Sequence, residues 1–277
     1  MEKICEYCGK QFLASGKNSW KKIFCDVSCQ QKYWADKRNK TGKTKSLAVA
    51  NGKEVRKIHL KDEQLQLCLG GMMGDSSITP KSNGNCRLKM CHCEKQLDYL
   101  TWKSELLNPF ISNGVNLDNR EGNSKFNSSP SYYSYTYVHQ DFTDLFGLFY
   151  LLDKGKKRKT VNMNILNKLK EFGILIWFLD DGHYSYNEKK FHHVMYLSTY
   201  RYSLGEHQSM KKWFWHKWRI ESTIYYDKTH NKYTLRFNKE ALLRFNNLFL
   251  SPFKNMVPQC MHYKFPEFNS ALPADSD

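Results

Sequence analysis

Two aspartates, Asp75 and Asp181, are the residues of this chain best set to do chemistry. Each closes a short apolar run, Leu67-Cys68-Leu69-Gly70-Gly71-Met72-Met73-Gly74-Asp75 in one case and Ile174-Leu175-Ile176-Trp177-Phe178-Leu179-Asp180-Asp181-Gly182 in the other. The spacing predicts two short apolar helices that end in an acid. A carboxylate held against apolar residues is costly unless it is paired or binds a cation, so its occurrence twice predicts a metal site assembled from two related halves. Mg2+ suits such a site, because it keeps several waters and takes one or two carboxylates together with substrate oxygens. Ions held there would activate water and stabilise the attacking and leaving oxygens of an in-line displacement. A second constellation lies near the start of the chain. Cys5 and Cys8 form a C-x2-C pair, and Cys25 and Cys29 a C-x3-C pair. Four thiolates at that spacing suit tetrahedral structural Zn2+, which would replace a core the segment is too short to build. Gly9 supplies a tight turn there, and Phe12, Trp20 and Phe24 the apolar contacts.

The elements that position these residues read as a small amino-terminal module, a tether and two halves. The expected boundaries are residues 1–36 for the zinc module, 37–60 for a basic linker, 61–160 for the first half and 161–277 for the second. In the linker Lys37, Arg38, Lys40, Lys43, Lys45, Lys53, Arg56 and Lys57 stand among small polar residues, with Glu54 the only acid after Lys37. Such a segment buries too little apolar surface to fold alone, but it can lie along phosphates and release counterions. In the first half, Cys86 to Cys93 alternates as a half-buried strand, residues 94–107 have helical spacing, Ser131 to Val138 reads as a strand and residues 141–152 as a closing helix. In the second half, Phe191 to Thr199 reads as a strand and residues 205–219 as a basic, Trp-rich helix. Ser222 to Tyr226 and Lys232 to Phe237 form a hairpin, and residues 239–249 a last helix. Glycines 70, 71 and 74 let the first acidic helix approach a partner closely, whereas the second offers Ile176 and Trp177, large residues that would have to interdigitate with them.

Charge identifies the partner class. A net charge of +16 over 277 residues, with 15% aromatic residues, gives a surface that attracts polyanions. Residues 1–60 hold fourteen Lys and Arg against five Asp and Glu, so more than half of the excess lies there. No apolar run reaches the roughly 18 residues of a membrane span, and no secretory layout opens the chain. Nine cysteines, an odd number, argue for metal binding and free thiols in a reducing compartment. The expectation is a soluble, intracellular protein of the cytoplasm or an organelle matrix, with nucleic acid and not a membrane as partner.

The paired motifs resemble the double-motif, single-chain LAGLIDADG homing endonucleases, in the subfamily whose second motif reads W-F-x-D-D-G. Two further stretches carry the resemblance: Lys156-Lys157-Arg158-Lys159-Thr160-Val161 before the second motif, and Val257-Pro258-Gln259-Cys260-Met261-His262-Tyr263-Lys264-Phe265-Pro266 near the end, similar to a V/I-P-x-x-x-x-Y-K-x-P signature. The resemblance covers about residues 61–268. It implies an α+β fold of two pseudo-symmetric αββαββα halves that form a DNA-binding saddle. It also implies a monomer that makes a double-strand break with short 3′ overhangs at a long asymmetric target, and an intron- or phage-encoded origin. Lys159 and Lys264 match basic residues near the two scissile phosphates. Asp180 takes the seventh place of its motif and is read as structural, Asp181 as the acid. Residues 3–35 resemble the treble-clef-like zinc fingers that accompany intron-encoded nucleases.

Strand residues Arg87, Lys89, Tyr133, Tyr135, Tyr137, Tyr225, Lys232 and Arg236, with Lys157 and Arg158 of the basic stretch, are expected to face the duplex, since side chains on a two-stranded ribbon reach base edges in the major groove. Cys86, Cys91, His92 and Cys93 do not read as a second metal site, because neighbours on a strand point to opposite faces; the same holds for His192 and His193. Trp213, Trp215 and Trp218 read as core. Two other functions fit the same scaffold: an RNA-binding maturase acting on its host intron, and a DNA-binding regulator that does not cleave.

Overall fold

A computed structural model describes residues 2–14, 23–26, 28–29, 32, 51–81, 84–118, 130–153, 155–187 and 192–266. Of the residues singled out above, Trp20, Lys37, Arg38, Lys40, Lys43 and Lys45 lie outside these. The chain divides into two compact units, Met1–Glu54 and Val55–Asp277. In the first, strands β1 (Glu2–Ile4) and β2 (Gln11–Leu13) pair antiparallel. Gly9, at φ 71°, makes the turn between them in the left-handed region that disfavours a side chain.

The second unit contains two four-stranded antiparallel sheets with the same strand order. Helix α1 (Asp62–Met73) leads into β3 (Ser77–Pro80) and β4 (Cys86–Cys93), then α2 (Leu97–Leu106), β5 (Ile111–Leu117), β6 (Ser131–Thr136) and α3 (Gln140–Phe149). The first sheet runs β3-β4-β6-β5. A hairpin of β7 (Tyr150–Asp153) and β8 (Lys156–Lys159) and a short helix α4 (Met163–Lys168) connect it to the second half. There α5 (Glu171–Asp181) leads into β9 (Gly182–Asn187) and β10 (His192–Leu197), α6 (Leu204–Trp218), β11 (Thr223–Asp227), β12 (Lys232–Phe237) and α7 (Lys239–Phe245). The second sheet runs β9-β10-β12-β11. No helix among the described residues is long and apolar enough to cross a membrane.

Four elements differ from the sequence expectation. The closing helix of the first half stops at Phe149, because Tyr150–Asp153 pairs with the basic stretch, which is itself a strand. The polar segment Ile111–Leu117 is a strand with an irregular register between Ile111 and Val115. The last helix gives way to a wider turn over Asn246–Leu250. Residues 51–55, inside the stretch read as a tether, are helical. Val55 is buried in the main core, and the His59 ring and the Leu60 amide meet Asp141 at 2.9 and 2.8 Å.

Helices α1 and α5 pack along one another at the centre of the unit. A Cβ at Gly70 would overlap the carbonyl oxygen of Gly173 and lie 2.8 Å from the Ile176 Cβ, and one at Gly173 would lie 2.6 Å from Gln66 Oε1. The large residues of the second motif thus divide their tasks. Ile176 fills the notch left by Gly70, while Trp177 turns into the second half's own core and stacks on Phe214 at 6.0 Å. Gln66 closes the other end of the contact: its Oε1 accepts the Lys170 amide at 2.8 Å and its Nε2 donates to Lys168 O at 2.9 Å. It therefore supplies the cap that Lys170 lacks at the start of α5.

Candidate active site and DNA interface

The packing of α1 on α5 brings both acids to one end of the crossing. Burial pushes the Asp75 carboxyl up to about 6, and the Asp180 carboxylate adds to the effect. Burial, then Asp75 and Asp180, push Asp181 up to about 7. Acids whose proton affinity is raised by burial and by a neighbouring carboxylate mark a concentration of negative charge that a divalent cation relieves. Oδ2 of Asp181 is buried without a hydrogen-bond partner, so an oxygen is left for a ligand. The donor set is all oxygen and fits a hard ion such as Mg2+.

The two lysines sit at matching places. Lys159 Nζ donates to Gly74 O at 3.2 Å and Ser76 O at 2.6 Å; Lys264 Nζ donates to Leu179 O at 2.6 Å and Asp180 O at 3.2 Å. Each ammonium thus caps the carboxyl end of one acid-bearing helix, where the dipole favours a cation, and commits two of its three N–H bonds to carbonyls. Burial, followed by the charge of Arg201, brings Lys159 down to about 7; burial also lowers Lys264.

Asp180 belongs to a separate network. It is fully buried, its Oδ1 accepting from Tyr99 Oη at 2.9 Å and Lys103 Nζ at 2.9 Å, its Oδ2 from Lys103 Nζ at 3.1 Å and the Asp75 amide at 3.2 Å. Burial alone would raise its pKa, but Lys103 and then His92 outweigh this and hold it below the usual carboxylate range. Ligand atoms of Asp75, His92 and Asp180 lie within 4.8 Å of one another, yet the Lys103 ammonium already serves as the cation, 3.2 Å from His92 Nε2. Strand alternation puts Cys86 and His92 on the buried face of β4 and exposes Cys93.

Three residues near the acids were missed by sequence reasoning, Tyr99, Lys103 and Arg201, the last bearing by its charge on Asp75, Asp181 and Lys159; His92 was considered there and set aside. A signal existed for Lys103 alone, a charge inside the helical stripe that buries Tyr99 and Leu100.

On the open face of the first sheet, Arg87 stacks over the Tyr135 ring at 3.6 Å and Lys89 lies 5.4 Å from the Tyr133 ring, with Lys89 directly opposite Tyr135. On the second sheet Lys232 and Tyr225 are exposed, and Arg236 lies opposite Tyr196 and Thr223. Arg56 and Lys57 are exposed. Lys157 lies against the Phe146 ring at 4.9 Å, and Tyr137 packs on the core. Arg158 Nη1 donates to Glu206 at 2.9 Å, and the Glu206 carboxylate at the start of α6 also accepts from Thr160 and the Val161 amide. It ties the connecting hairpin to the second half. Trp215 departs from expectation, being 48% exposed under Arg219, while Trp213 is buried and Trp218 packs on Phe249.

In the amino-terminal unit the sulfurs of Cys5, Cys8, Cys25 and Cys29 lie within 4.8 Å of one another. The turn after β1 positions the first pair, and the Glu6 amide donating to Ile23 O at 2.9 Å draws in the second. Burial works to raise Cys5, but the amides of Cys8, Cys25 and Tyr7 outweigh it and hold the thiol at about 6. Cys25 is shifted the other way, chiefly by its hydrogen bond with Cys29 and then by burial, and Cys29 is raised as well, so negative charge gathers on Cys5 and a metal would have to displace the protons of its neighbours.

Comparison with known proteins places this arrangement. The model described as "LAGLIDADG DNA endonuclease family" matches residues 65–245. Protein RecA of Mycolicibacterium flavescens is 33% identical over 47% of this chain and 28% of its own length. The chain thus spans little more than a quarter of the first RecA relatives it matches. "Probable intron-encoded DNA endonuclease 3" of Mycosarcoma maydis is 29% identical over 49% of this chain and 93% of its own length. Among solved structures, the homing endonuclease I-WcaI bound to its DNA recognition sequence shares the fold, with a TM-score of 0.67 and 20% identity over 78% of this chain and 92% of that one. The family match runs from the first acid-bearing helix through both sheets to α7, and the chain belongs to the LAGLIDADG DNA endonuclease family.

Proposed function

We propose that the chain is a monomeric, metal-dependent endonuclease that hydrolyses one phosphodiester on each strand of a long asymmetric DNA target. The observation that carries this reading is the arrival of Asp75 and Asp181 at the ends of two packed helices, where the Asp75 charge raises the proton affinity of Asp181 and both acids feel the charge of Asp180. Divalent cations held by these two acids would supply an activated water and stabilisation of the attacking and leaving oxygens. Lys159 and Lys264 fix the helix ends that carry the acids, and the remaining N–H of each can orient water or meet a phosphate oxygen. Arg87, Lys89, Tyr133, Tyr135, Lys232 and Arg236 contact the duplex from the two sheets, and the basic stretch from Lys37 to Lys57 extends the contact along the backbone. Cys5, Cys8, Cys25 and Cys29 hold structural Zn2+.

The test is cleavage. In Mg2+ the purified chain is expected to cut a duplex made of the sequences flanking its own gene, joined without that gene. Protons compete with the cation at acids whose values are about 6 and 7. The Mg2+ concentration giving half-maximal cleavage should therefore fall as pH rises from 6 to 8. A requirement that stays constant over that range would separate these acids from the metal. Specific binding without a cut would favour a regulator, and preference for the intron transcript a maturase.

The zinc assignment has its own measurement. Replacing Cys8 and Cys25 with serine should release one zinc ion per chain to a chromogenic chelator and weaken target binding, while the cleavage rate at saturating protein is kept. Zinc retained by the doubly substituted protein would rule the four-cysteine site out.

A further inference from the structure

We propose that Lys103 is a positioning residue for Asp75, acting through Asp180 from the opposite half of the molecule. The inference rests on Asp75 being a metal-binding acid. Lys103 has no solvent-exposed surface, and its three N–H bonds meet three acceptors: Asp180 Oδ1, Asp180 Oδ2 and His92 Nε2. The carboxylate so held has one bond that leads toward the reaction centre, its Oδ2 accepting the amide of Asp75 at 3.2 Å. Tyr99 fixes the other oxygen, and Gln96, 3.2 Å from His92 Nδ1, fixes the ring that completes the lysine's coordination.

Stability does not account for this arrangement. Burying two charges is expensive even when they are paired, and an apolar pair of similar volume commonly does as well. The second half supplies that comparison within the same molecule. Helices α2 and α6 begin at Leu97 and Leu204, and the seventh residue is Lys103 in one and buried Met210 in the other. The residue before the acid is likewise Asp180 in one motif and Gly74 in the other, and a side chain at Gly74 would collide with Asp180. Lysine is the residue that meets the aspartate, and the glycine of the other motif leaves Asp180 its room. The charged pair is therefore confined to the side on which it reaches the backbone of Asp75. Partners that hold a metal-binding residue in place typically govern affinity for the metal by 10–100-fold.

The experiment uses the full chain carrying Lys103→Met together with Asp180→Asn, so that no unpaired charge stays buried. Mn2+ binding is measured by calorimetry and single-turnover cleavage at saturating protein. Expected is a variant with near wild-type melting temperature and duplex affinity, whose Mn2+ affinity and cleavage rate both fall by roughly 10–100-fold. Tyr99→Phe, which deletes one hydroxyl and keeps the ring, should give a smaller loss in the same two quantities. Unchanged Mn2+ affinity in the folded double variant would overturn the proposal, as would a loss confined to melting temperature or duplex affinity in either variant. Failure of the nuclease reading looks different: the wild-type chain would then bind Mn2+ and cut nothing.

Discussion

Asp75→Asn and Asp181→Asn should each yield a folded protein that binds its target and does not make the double-strand break. The amide keeps the shape of the side chain and removes the negative charge that holds the cation. Cleavage should fall by on the order of a thousandfold, the scale seen when one group stabilising developing charge is deleted. A gel-shift in Ca2+ beside a single-turnover assay with both strands labelled reads binding and cutting separately. Full cutting by either variant would end the shared-site reading. The same substitutions carry a signature in stability. The folded-state values of about 6 and 7 exceed the roughly 3.9 of an unfolded aspartate. Folded protein therefore binds more protons than unfolded between these values, and the acids' contribution to stability declines as pH rises through that window. Metal-free Asp181→Asn should melt above wild type at pH 8 and lose that advantage near pH 5. Each 1 kcal/mol gained would appear as roughly 2–4 °C.

Gly70→Ala is expected to be among the most damaging single-methyl additions in the chain. The new Cβ would overlap a main-chain oxygen of α5, and backbone cannot rotate aside as a side chain can. The helices would have to separate, disturbing both acids at once. Overpacking of a close contact costs about 1–3 kcal/mol and occasionally more; with backbone on both sides the upper end applies, and cleavage should be lost with it. Gly147→Ala is the contrasting case. It lies inside α3 with nothing within 4 Å of the added atom, so it should stabilise by about 0.4–1 kcal/mol. Thermal melts of the two variants at one pH test the pair, and equal effects would show that the crossing tolerates a wider spacing.

The acids and most strands were legible in the sequence because each carries a local sign, an acid closing an apolar run or alternation of period two, whereas the two lysines were legible only through the resemblance of the stretches that hold them. What it concealed depends on partners far along the chain. Lys103 stands out only as a charge in an apolar stripe and Asp180 only as the seventh residue of its motif, and that the two pair is visible once α2 and α5 are brought together. Strand β8 is Lys156–Lys159, with no apolar alternation at all; it exists through backbone pairing with β7. Strand β5 hid behind a polar sequence and a glycine at φ 65°. Nothing nearby in sequence announces the Glu206 carboxylate that Arg158 meets.

The seat of Asp180 on Gly74 has a consequence for descent. A duplicated ancestral half would have met its own copy across a two-fold axis, with identical residues at the crossing. Here the two motifs are lock and key. Two copies of the second half would force two aspartates into a space with room for one side chain, and two copies of the first would leave a pair of buried lysines with no counter-charge. Once glycine on one side and the aspartate–lysine pair on the other had been accepted, neither half could revert to partnering itself. The two halves are thereby committed to one another, and a change at this crossing has to be matched on both sides at once.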